Sequence, residues 1–275
     1  MKCAGMNALK FGMRKPFYRD EVLEMRIEVS FYVLISFLRF DFILLRPLKK
    51  QAIMSNTYVA IMAGGIGSRF WPESRTAKPK QFLDILNTGK TLIQMTYERF
   101  LKIVPAENIY VVTSDSYEKL VKEQLPALTN SQILKEPMRR NTAPCITYVC
   151  DKIYTKDKDA TIIVAASDHL ILEEQKFLAV VAKCVEFVKD NSYLVTIGIK
   201  PTKPATGYGY IQFQDENANG EFFRVKTFTE KPTIEIAKTF LKSGDFLWNS
   251  GMFVWKAKTL LRAVVKHLPE IAEAF

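Results

Sequence analysis

A glycine-rich segment followed by basic side chains is the part of the sequence best suited to chemistry. The glycines are Gly64, Gly65 and Gly67, and the cations that follow them are Arg69, Arg75, Lys78 and Lys80. Glycine lets the backbone approach a ligand closely, and successive backbone N–H groups can hold an anion. Guanidinium and ammonium groups complement phosphate oxygens. The segment therefore indicates a triphosphate site, with an ordinary exposed basic loop as the alternative.

Two familiar phosphate-binding motifs do not fit this chain. The dinucleotide-binding fingerprint requires a third glycine at the position of Phe70. The Gly-Lys-Thr sequence at residues 89–91 would need a glycine at position 84 to form a P-loop, and that residue is Asp84. We therefore expect neither a nicotinamide dinucleotide site nor a Walker-type NTPase.

An acidic candidate, Asp168, follows the apolar run at residues 161–166. Ligands of open α/β sheets gather at the carboxyl ends of the strands, and a carboxylate is a hard oxygen ligand for Mg²⁺. Asp168 is therefore a candidate metal ligand, with a helix N-cap as the alternative. We interpret its neighbour His169 as a structural residue.

The elements that must position these residues alternate along the chain. Short β-branched runs at residues 58–63, 109–113, 161–166 and 194–199 are separated by apolar patterns with helical spacing. This alternation predicts an α/β fold with a Rossmann-like, mixed but mostly parallel sheet and helices on both faces. Extended segments at residues 208–213 and 222–228 flank a polar turn over residues 215–220, which predicts a hairpin.

Charge and cysteine content exclude several classes of protein. The net charge is +10, but after residue 54 the signs are interspersed and no basic run exceeds two residues. We therefore expect no nucleic-acid partner, since a duplex-binding face concentrates its cations. The cysteines form no Cys-x-x-Cys pair and the chain has only two histidines, which argues against zinc modules and disulfide frameworks. A reducing, cytoplasmic compartment fits this cysteine usage.

The first 53 residues differ in character from the rest. Residues 29–45 are mostly aromatic and aliphatic, yet this stretch is short for a membrane span and contains Arg39 and Asp41. We expect the folded unit to begin at Met54 and to occupy residues 54–275. Residues 1–53 are interpreted as a misassigned start, with a poorly ordered tail or a weak membrane anchor as the alternatives, and we expect no membrane partner.

Several blocks between residues 63 and 253 resemble the mannose-1-phosphate guanylyltransferases (GDP-mannose pyrophosphorylases) of the sugar-nucleotidyltransferase superfamily. The blocks are residues 64–75 with 79–82, residues 136–144, residues 167–169, residues 207–211, residues 228–232 and residues 248–253. The resemblance implies a nucleotide-diphospho-sugar transferase fold and a nucleotidyltransferase domain over residues 54–275.

The reaction implied by this resemblance is Mg²⁺-dependent transfer from GTP to α-D-mannose 1-phosphate, giving GDP-mannose and pyrophosphate. The sugar phosphate is already a nucleophile, so the protein must mainly align two anions and offset their repulsion. That requirement agrees with many cations and few histidines. A transferase for another sugar phosphate or base, and a non-catalytic nucleotide-sugar-binding protein, are the alternatives. A homo-oligomer is left open.

The resemblance also implies roles for individual residues. The expected catalytic residues are Arg69, Lys80 and Asp168, with Asp168 as the metal ligand. The expected nucleotide-binding residues are Gly64, Gly65, Gly67, Arg69, Lys80, Asn141 and Thr142. The expected sugar-phosphate-binding residues are Gly209, Glu230, Lys231 and Asn249, with Glu230 and Asn249 at mannose hydroxyls and Lys231 at the phosphate.

The chain departs from the family at its end. Members usually continue with a Trp-Ser-Asp-like segment that supplies a second metal carboxylate, and then with a left-handed β-helix domain. This sequence ends at Phe275, within a helical pattern. We therefore expect a C-terminally incomplete domain, and low or no activity from these 275 residues alone.

Overall fold

The computed structural model of the chain describes residues 31–32, 54–65, 72–136, 142–219 and 222–273. The described residues all belong to the unit Phe31–Phe275. Its strands are β1 (Phe31–Tyr32), β2 (Thr57–Met62), β3 (Ile109–Ser114), β4 (Ile133–Glu136), β5 (Thr161–Ala166), β6 (Val195–Ile199), β7 (Tyr210–Asn219), β8 (Phe222–Thr229) and β9 (Phe246–Lys256).

The helices connect these strands on either side of the sheet. They are α1 (Leu92–Phe100), α2 (Glu118–Gln124), α3 (Thr142–Lys156), α4 (Glu174–Asp190), α5 (Ile234–Ser243), α6 (Ala257–His267) and α7 (Pro269–Ala272). Single 3₁₀ turns occur at Lys80–Phe82, Ala106–Asn108, Asp115–Tyr117 and Asn130–Gln132.

The strands form one mixed sheet in the order β1-β6-β9-β5-β2-β3-β4, with the β7–β8 hairpin attached to β9. Strands β5, β2, β3 and β4 are parallel, which confirms the predicted fold class. Antiparallel strands make the sheet mixed, as predicted. Strand β9 lies between β5 and β6 and pairs antiparallel with both.

Alternate residues of β2 pack into two different cores, one on each face of the sheet, which explains why the strand is apolar from Tyr58 onward. Val59 and Ile61 join a cluster with the inner faces of α1 and α4, whereas Tyr58 and Ala60 join a second cluster with α3 and α6. All four side chains are at most 5% exposed. Burying a large aliphatic side chain contributes about 1.5–3 kcal/mol, so the two layers of helices hold the central strands firmly.

The predicted strands and helix face appear close to their expected positions. The helical pattern predicted between the strands at residues 161–166 and 194–199 is α4, and its apolar face is buried at Phe177, Val180, Val181, Cys184 and Val188. The hairpin is also confirmed, but β7 continues to Asn219, so most of the predicted turn over residues 215–220 is strand. Strands β4 and β9 were not predicted.

Within the described part of the chain, no helix combines the length and apolarity needed to cross a membrane. The interpretation of residues 1–53 falls outside the described residues, apart from Phe31 and Tyr32. Those two residues pair antiparallel with Ile199 and Gly198 of β6. The domain boundary at Met54 stays a prediction.

Candidate functional site

The parallel strands β2, β3, β4 and β5 end at the same edge of the sheet. The glycine-rich segment leaves β2 at this edge, Glu136 ends β4, and Asp168 follows β5. Polar residues from distant parts of the chain therefore meet where the hydrogen-bonded ladder stops. This is the usual place for a ligand in an open α/β sheet.

A buried glutamine holds the start of the glycine-rich segment. The Gln81 side-chain amide donates to the carbonyl oxygen of Ala63 at 3.0 Å and to that of Gly65 at 2.9 Å. Gln81 is 2% exposed, and the Thr113 hydroxyl also donates to Ala63 O at 3.2 Å. These bonds fix the backbone of Ala63 and Gly65. Gln81 had no role in the sequence-based prediction.

Gly64 faces a carboxylate from the neighbouring strand end. A Cβ at Gly64 would stand 3.3 Å from Glu136 Oε2, so this carboxylate lies against the glycine backbone. No described atom lies within 4 Å of a Cβ built on Gly65, which leaves room for a ligand there. Burial, with the nearby Glu136, raises the pKa of the Cys145 thiol on α3, so that thiol stays protonated. Glu136 also had no assigned role.

Lys80 and Asp168 form an ion pair at this edge. Lys80 Nζ lies 2.6 Å from Asp168 Oδ2, and the two side chains are 30% and 20% exposed. Lys80 opens the 3₁₀ turn that also contains Gln81. Lys80, predicted to bind the triphosphate, is thus in direct contact with Asp168, the predicted metal ligand, although the two residues are far apart in the sequence. Both side chains are partly exposed, so a ligand can reach each of them.

His169 follows Asp168 and is half-buried. Burial lowers the pKa of its imidazole; the Asp168 carboxylate opposes that effect, while the positive charges of Lys80 and Arg99 add to it. The imidazole is therefore neutral near pH 7, as suits a structural side chain.

A second cluster contains the residues predicted for the sugar phosphate. A Cβ at Gly209 would stand 2.7 Å from Glu230 Oε2 and 3.5 Å from the Asn249 Cβ. The Asn249 backbone N–H donates to Gly209 O at 2.7 Å. A side chain at Gly209 would therefore displace the Glu230 carboxylate, whereas the distance to Asn249 is an ordinary contact.

Lys231 is fixed beside this cluster in an unusual backbone conformation. Its φ is 41°, in the left-handed region that costs a non-glycine residue about 1–3 kcal/mol. Its ammonium lies 2.8 Å from Glu230 Oε1. Adjacent residues thus present one anionic and one cationic group in direct contact.

Strand β9 brings the two clusters to the same edge of the sheet. Its register with β5 pairs Val164 with Phe253, and the strands are antiparallel. The chain after Val164 and the chain before Phe253 therefore extend toward the same edge, so Asp168 and Asn249 emerge there together. The bend at Asn249 is held by its side-chain Oδ1, which accepts the Gly251 N–H at 2.9 Å.

The rejected P-loop match is a turn held by a carboxylate. Asp84 accepts hydrogen bonds from the backbone N–H of Thr88 at 3.0 Å and of Gly89 at 2.7 Å. These bonds lower the pKa of the Asp84 carboxyl, that from Thr88 most of all. The Asp84 carboxylate therefore accepts the backbone N–H groups of this turn.

The predicted site residues fall into three groups. Lys80 and Asp168 are brought together, as are Gly209, Glu230, Lys231 and Asn249. Gly64 and Gly65 lie at the exit of β2, and Thr142 is exposed as the first residue of α3. Gly67, Arg69 and Asn141 lie outside the described residues. The described residues contain no group of three or more His, Cys, Asp or Glu side chains arranged for a metal ion.

Comparison with known proteins relates this chain to one family. Residues 58–275 match the family described as nucleotidyl transferase. The chain is 39% identical over 227 residues to the mannose-1-phosphate guanylyltransferase of Escherichia coli (strain K12), covering 80% of this chain and 47% of the relative. It is also 39% identical over 225 residues to the mannose-1-phosphate guanylyltransferase of Salmonella muenchen, with the same coverage of 80% and 47%. The chain thus spans about half the length of these relatives.

Solved structures agree with this relationship. A protein from Thermus thermophilus, described as a mannose-1-phosphate geranyltransferase, superimposes with a TM-score of 0.73 at 31% identity. The match covers 80% of this chain and 63% of that one. The region matched by the family contains both clusters and the whole described sheet apart from β1 and the first residue of β2. On its sequence match and its fold, the chain belongs to the nucleotidyl transferase family.

Proposed function

We propose that this domain carries out Mg²⁺-dependent transfer of a guanylyl group from GTP to α-D-mannose 1-phosphate, giving GDP-mannose and pyrophosphate. The observation that carries the proposal is the Lys80–Asp168 pair, 2.6 Å apart at the carboxyl edge of the parallel strands. It places a fixed cation and a candidate metal carboxylate where the glycine-rich backbone begins. The names of the relatives suggest which nucleotide and sugar would meet there.

The Lys80–Asp168 pair is suited to being opened by substrate. Both side chains are partly exposed, so a ligand arriving at this edge of the sheet can reach them. The charge-assisted bonds that a triphosphate offers to an ammonium group would then replace the bond between Lys80 and Asp168. In the free protein each group neutralises the other, and with substrate Lys80 would turn to the phosphates.

The reaction itself needs alignment more than proton transfer. A phosphate oxygen of the sugar phosphate forms a bond to the α-phosphorus of GTP, and the bond from that phosphorus to the bridging oxygen of pyrophosphate breaks. The nucleophile is already an anion, so no group has to remove a proton. Lys80 offsets the repulsion between the two anions, and electrostatic stabilisation of this kind is often the largest single contribution to catalysis.

Asp168 would hold the metal ion. Its carboxylate is accessible at the ligand-binding edge, and Mg²⁺ commonly binds through one or two carboxylates together with substrate phosphates. A single carboxylate among the described residues fits that pattern. When bound, the ion would neutralise charge on the phosphate oxygens.

The second cluster would bind the sugar phosphate. Glu230 and Asn249 offer acceptor and donor groups to mannose hydroxyls, and Lys231 offers a cation to the phosphate. Glu230 and Lys231 are paired with each other at 2.8 Å in the free protein, and the ligand would take the place of this contact. Because β9 runs beside β5, this ligand would lie close to the phosphates held by Lys80.

Glu136 would select the base. A carboxylate accepts two hydrogen bonds from neighbouring donors, and the Watson–Crick edge of guanine presents such donors at N1 and N2. Adenine presents an acceptor at N1 and would meet the same carboxylate unfavourably. The position of Glu136 against Gly64 puts it where the base would lie if the phosphates follow the glycine-rich segment.

The small-molecule partners in this proposal are GTP and mannose 1-phosphate, and the compartment that suits them is the cytoplasm. Two measurements test it: binding of GDP-mannose, and pyrophosphate release from GTP, ATP, UTP or dTTP with mannose or glucose 1-phosphate. We expect GDP-mannose binding, and any turnover to be fastest with GTP and mannose 1-phosphate. Preference for another pair, or no binding of GDP-mannose, would overturn the assignment.

Substitution of Lys80 tests the role of the pair. Lys80→Ala should weaken GDP-mannose binding and reduce any turnover about 10²-fold or more, because one electrostatic contact at a reacting centre typically has that effect. Lys90→Ala is the matched control. Lys90 pairs with Glu98 at the same 2.6 Å separation but in the turn that Asp84 holds. A change of less than threefold for Lys80→Ala would remove it from the site.

A further inference from the structure

The loop that carries Asp168 is held at both ends by one helix, α1. The loop runs from the end of β5 to Glu174, the first residue of α4. At its start, the Thr96 hydroxyl donates to the carbonyl oxygen of Ser167 at 3.3 Å. At its far end, Glu174 forms ion pairs with Arg99 and Lys102. Thr96 and Arg99 lie on the inner face of α1, where both are buried.

Arg99 connects the two ends. Its Nη1 donates to Thr96 Oγ1 at 3.5 Å, and its Nε lies 3.6 Å from Glu174 Oε2. The guanidinium also lies over the Phe177 ring, 5.9 Å from its centroid. One side chain therefore contacts the residue that fixes Ser167 and the residue that ends the loop.

Burying the charged side chain of Arg99 in the core is energetically unfavourable. Arg99 is 2% exposed, and its Nε makes no hydrogen bond with any described residue. Burial lowers the pKa of the guanidinium, while Glu174 opposes that effect. Replacing a buried ion pair with a well-packed apolar side chain is often neutral or stabilising. Stability alone is therefore a weak reason for an arginine at this position.

We propose that Arg99 is a positioning residue for Asp168: through Thr96 and Glu174 it holds the Ser167–Glu174 loop so that the carboxylate faces bound metal and phosphate. This inference rests on the proposed role of Asp168 as the metal ligand. Replacing a residue that orients a metal ligand typically lowers metal affinity or activity 10–100-fold. We expect replacement of Arg99 to lower metal affinity by an amount in that range.

The test measures metal binding without turnover. Mn²⁺ is titrated in the presence of GTP and the absence of sugar phosphate, and the ternary complex is followed by the relaxation of water protons. Wild type is compared with Asp168→Asn, Arg99→Met, Arg99→Lys and Thr96→Val, and the melting temperature of each variant is measured. Lys102→Met is the matched control, because Lys102 shares Glu174 but is 58% exposed and lies outside the core.

We expect Arg99→Met to weaken the ternary complex about tenfold or more while its melting temperature stays within a few degrees of wild type. Thr96→Val should act in the same direction with a smaller effect, Arg99→Lys should recover part of the affinity, and Lys102→Met should change it less than twofold. Equal affinity in Arg99→Met and wild type would overturn the positioning role. A second result would also overturn it. In that result the loss of affinity in Arg99→Met is explained by its lower melting temperature, and Arg99→Lys recovers no affinity.

The Asp168→Asn variant separates this inference from the proposed function. Should Asp168→Asn bind Mn²⁺ and GTP as wild type does, the metal assignment of Asp168 fails, and the positioning role falls with it. Should Asp168→Asn lose the metal while Arg99→Met keeps it, only the role of Arg99 fails.

Discussion

At the scale of single residues, the site depends on close approaches that a side-chain atom can block or redirect. One such approach is at Gly209, where a Cβ would stand 2.7 Å from Glu230 Oε2. The atom in the way is the end of a flexible side chain, so an added methyl group would move the carboxylate without breaking the core. The expected consequence is a change in ligand binding more than in stability.

We predict that Gly209→Ala weakens binding of the sugar phosphate about tenfold or more, because moving a positioned group by an ångström can cost up to 10²-fold. The melting temperature should change little. Gly207→Ala is the matched control, since no described atom lies within 4 Å of its Cβ. Titration of mannose 1-phosphate in the presence of GTP measures both variants. Equal affinities in the two variants would contradict the placement of Glu230.

The preference of the site for guanine over adenine should depend on Glu136. A paired hydrogen bond to a base edge contributes roughly 1–3 kcal/mol of discrimination, and glutamine replaces one of the two acceptor oxygens with a donor. We predict that Glu136→Gln weakens binding of GTP about 10-fold or more and affects ATP less. Competition titrations with both nucleotides measure the ratio. An unchanged preference for GTP would show that the base is read elsewhere.

Among the helices and strands, the site is built where regular structure ends or bends. Strand β9 leaves its register with β6 between the pairs at Thr196 and Gly198. There the Ser250 hydroxyl donates to Ile197 O at 2.6 Å and accepts the Met252 N–H at 3.1 Å. Asn249 lies beside this irregularity and pairs with Gly198 of β6, so the packing of β6 against β9 supports the sugar end of the site.

Gly198 tests that packing. A Cβ there would stand 2.5 Å from Leu247 Cδ1 and 2.9 Å from Leu247 Cβ, so the strand backbone would have to move as well as the side chain. We predict that Gly198→Ala lowers the free energy of unfolding by about 1–3 kcal/mol, the usual cost of overpacking. Chemical denaturation measures it. A loss below about 0.5 kcal/mol would mean that β6 and β9 are less tightly packed than described.

The sequence predicted the strands whose apolar pattern is continuous and missed those that are interrupted. Strand β9 contains Asn249, Ser250 and Gly251 in its middle, a combination typical of a loop. Strand β4 is only four residues long and ends in Lys135 and Glu136. A continuous pattern of apolar residues identifies a strand that is buried along its whole length. A strand that carries functional polar residues in its middle breaks this pattern and is missed.

The same limit applies to the supporting residues of the site. Gln81 and Arg99 are each 2% exposed, yet both are residue types that are mostly exposed in proteins. Their roles depend on contacts with Ala63, Gly65 and Thr96, which only the folded chain brings near. By contrast, the rule that parallel strands present their ends at one edge places Asp168 at the same edge as the start of the glycine-rich segment. Lys80 stands further along the chain in a 3₁₀ turn, so its contact with Asp168 also depends on the fold.

Across the whole molecule, the two cores on either side of the sheet leave the described thiols out of reach of solvent. Cys145, Cys150 and Cys184 are at most 4% exposed. Burial raises the pKa of Cys150 to about 12, with a further rise from Asp151 and an opposing effect of Trp255. The thiolate is the reactive form, so at pH 8 this cysteine is both covered and protonated.

We predict that Cys145, Cys150 and Cys184 are not alkylated in the native protein at pH 8, and that all three react once the chain is unfolded in denaturant. Raising the pH from 7 to 9 should give little labelling, because the pKa of Cys150 stays above that range. Mass spectrometry of peptides after a timed pulse of iodoacetamide measures each site. Rapid labelling of Cys150 in the native state would show that the core under β5 and α3 opens readily.

The central claim is that Lys80 and Asp168 mark where nucleotide phosphates and metal are held. A crystal structure of the protein with GDP-mannose and Mg²⁺ tests it most directly. We expect the Lys80–Asp168 contact to be broken, with the Lys80 ammonium within about 3 Å of a phosphate oxygen, a normal length for such a bond. GDP-mannose bound elsewhere, with Lys80 still paired to Asp168, would contradict the account.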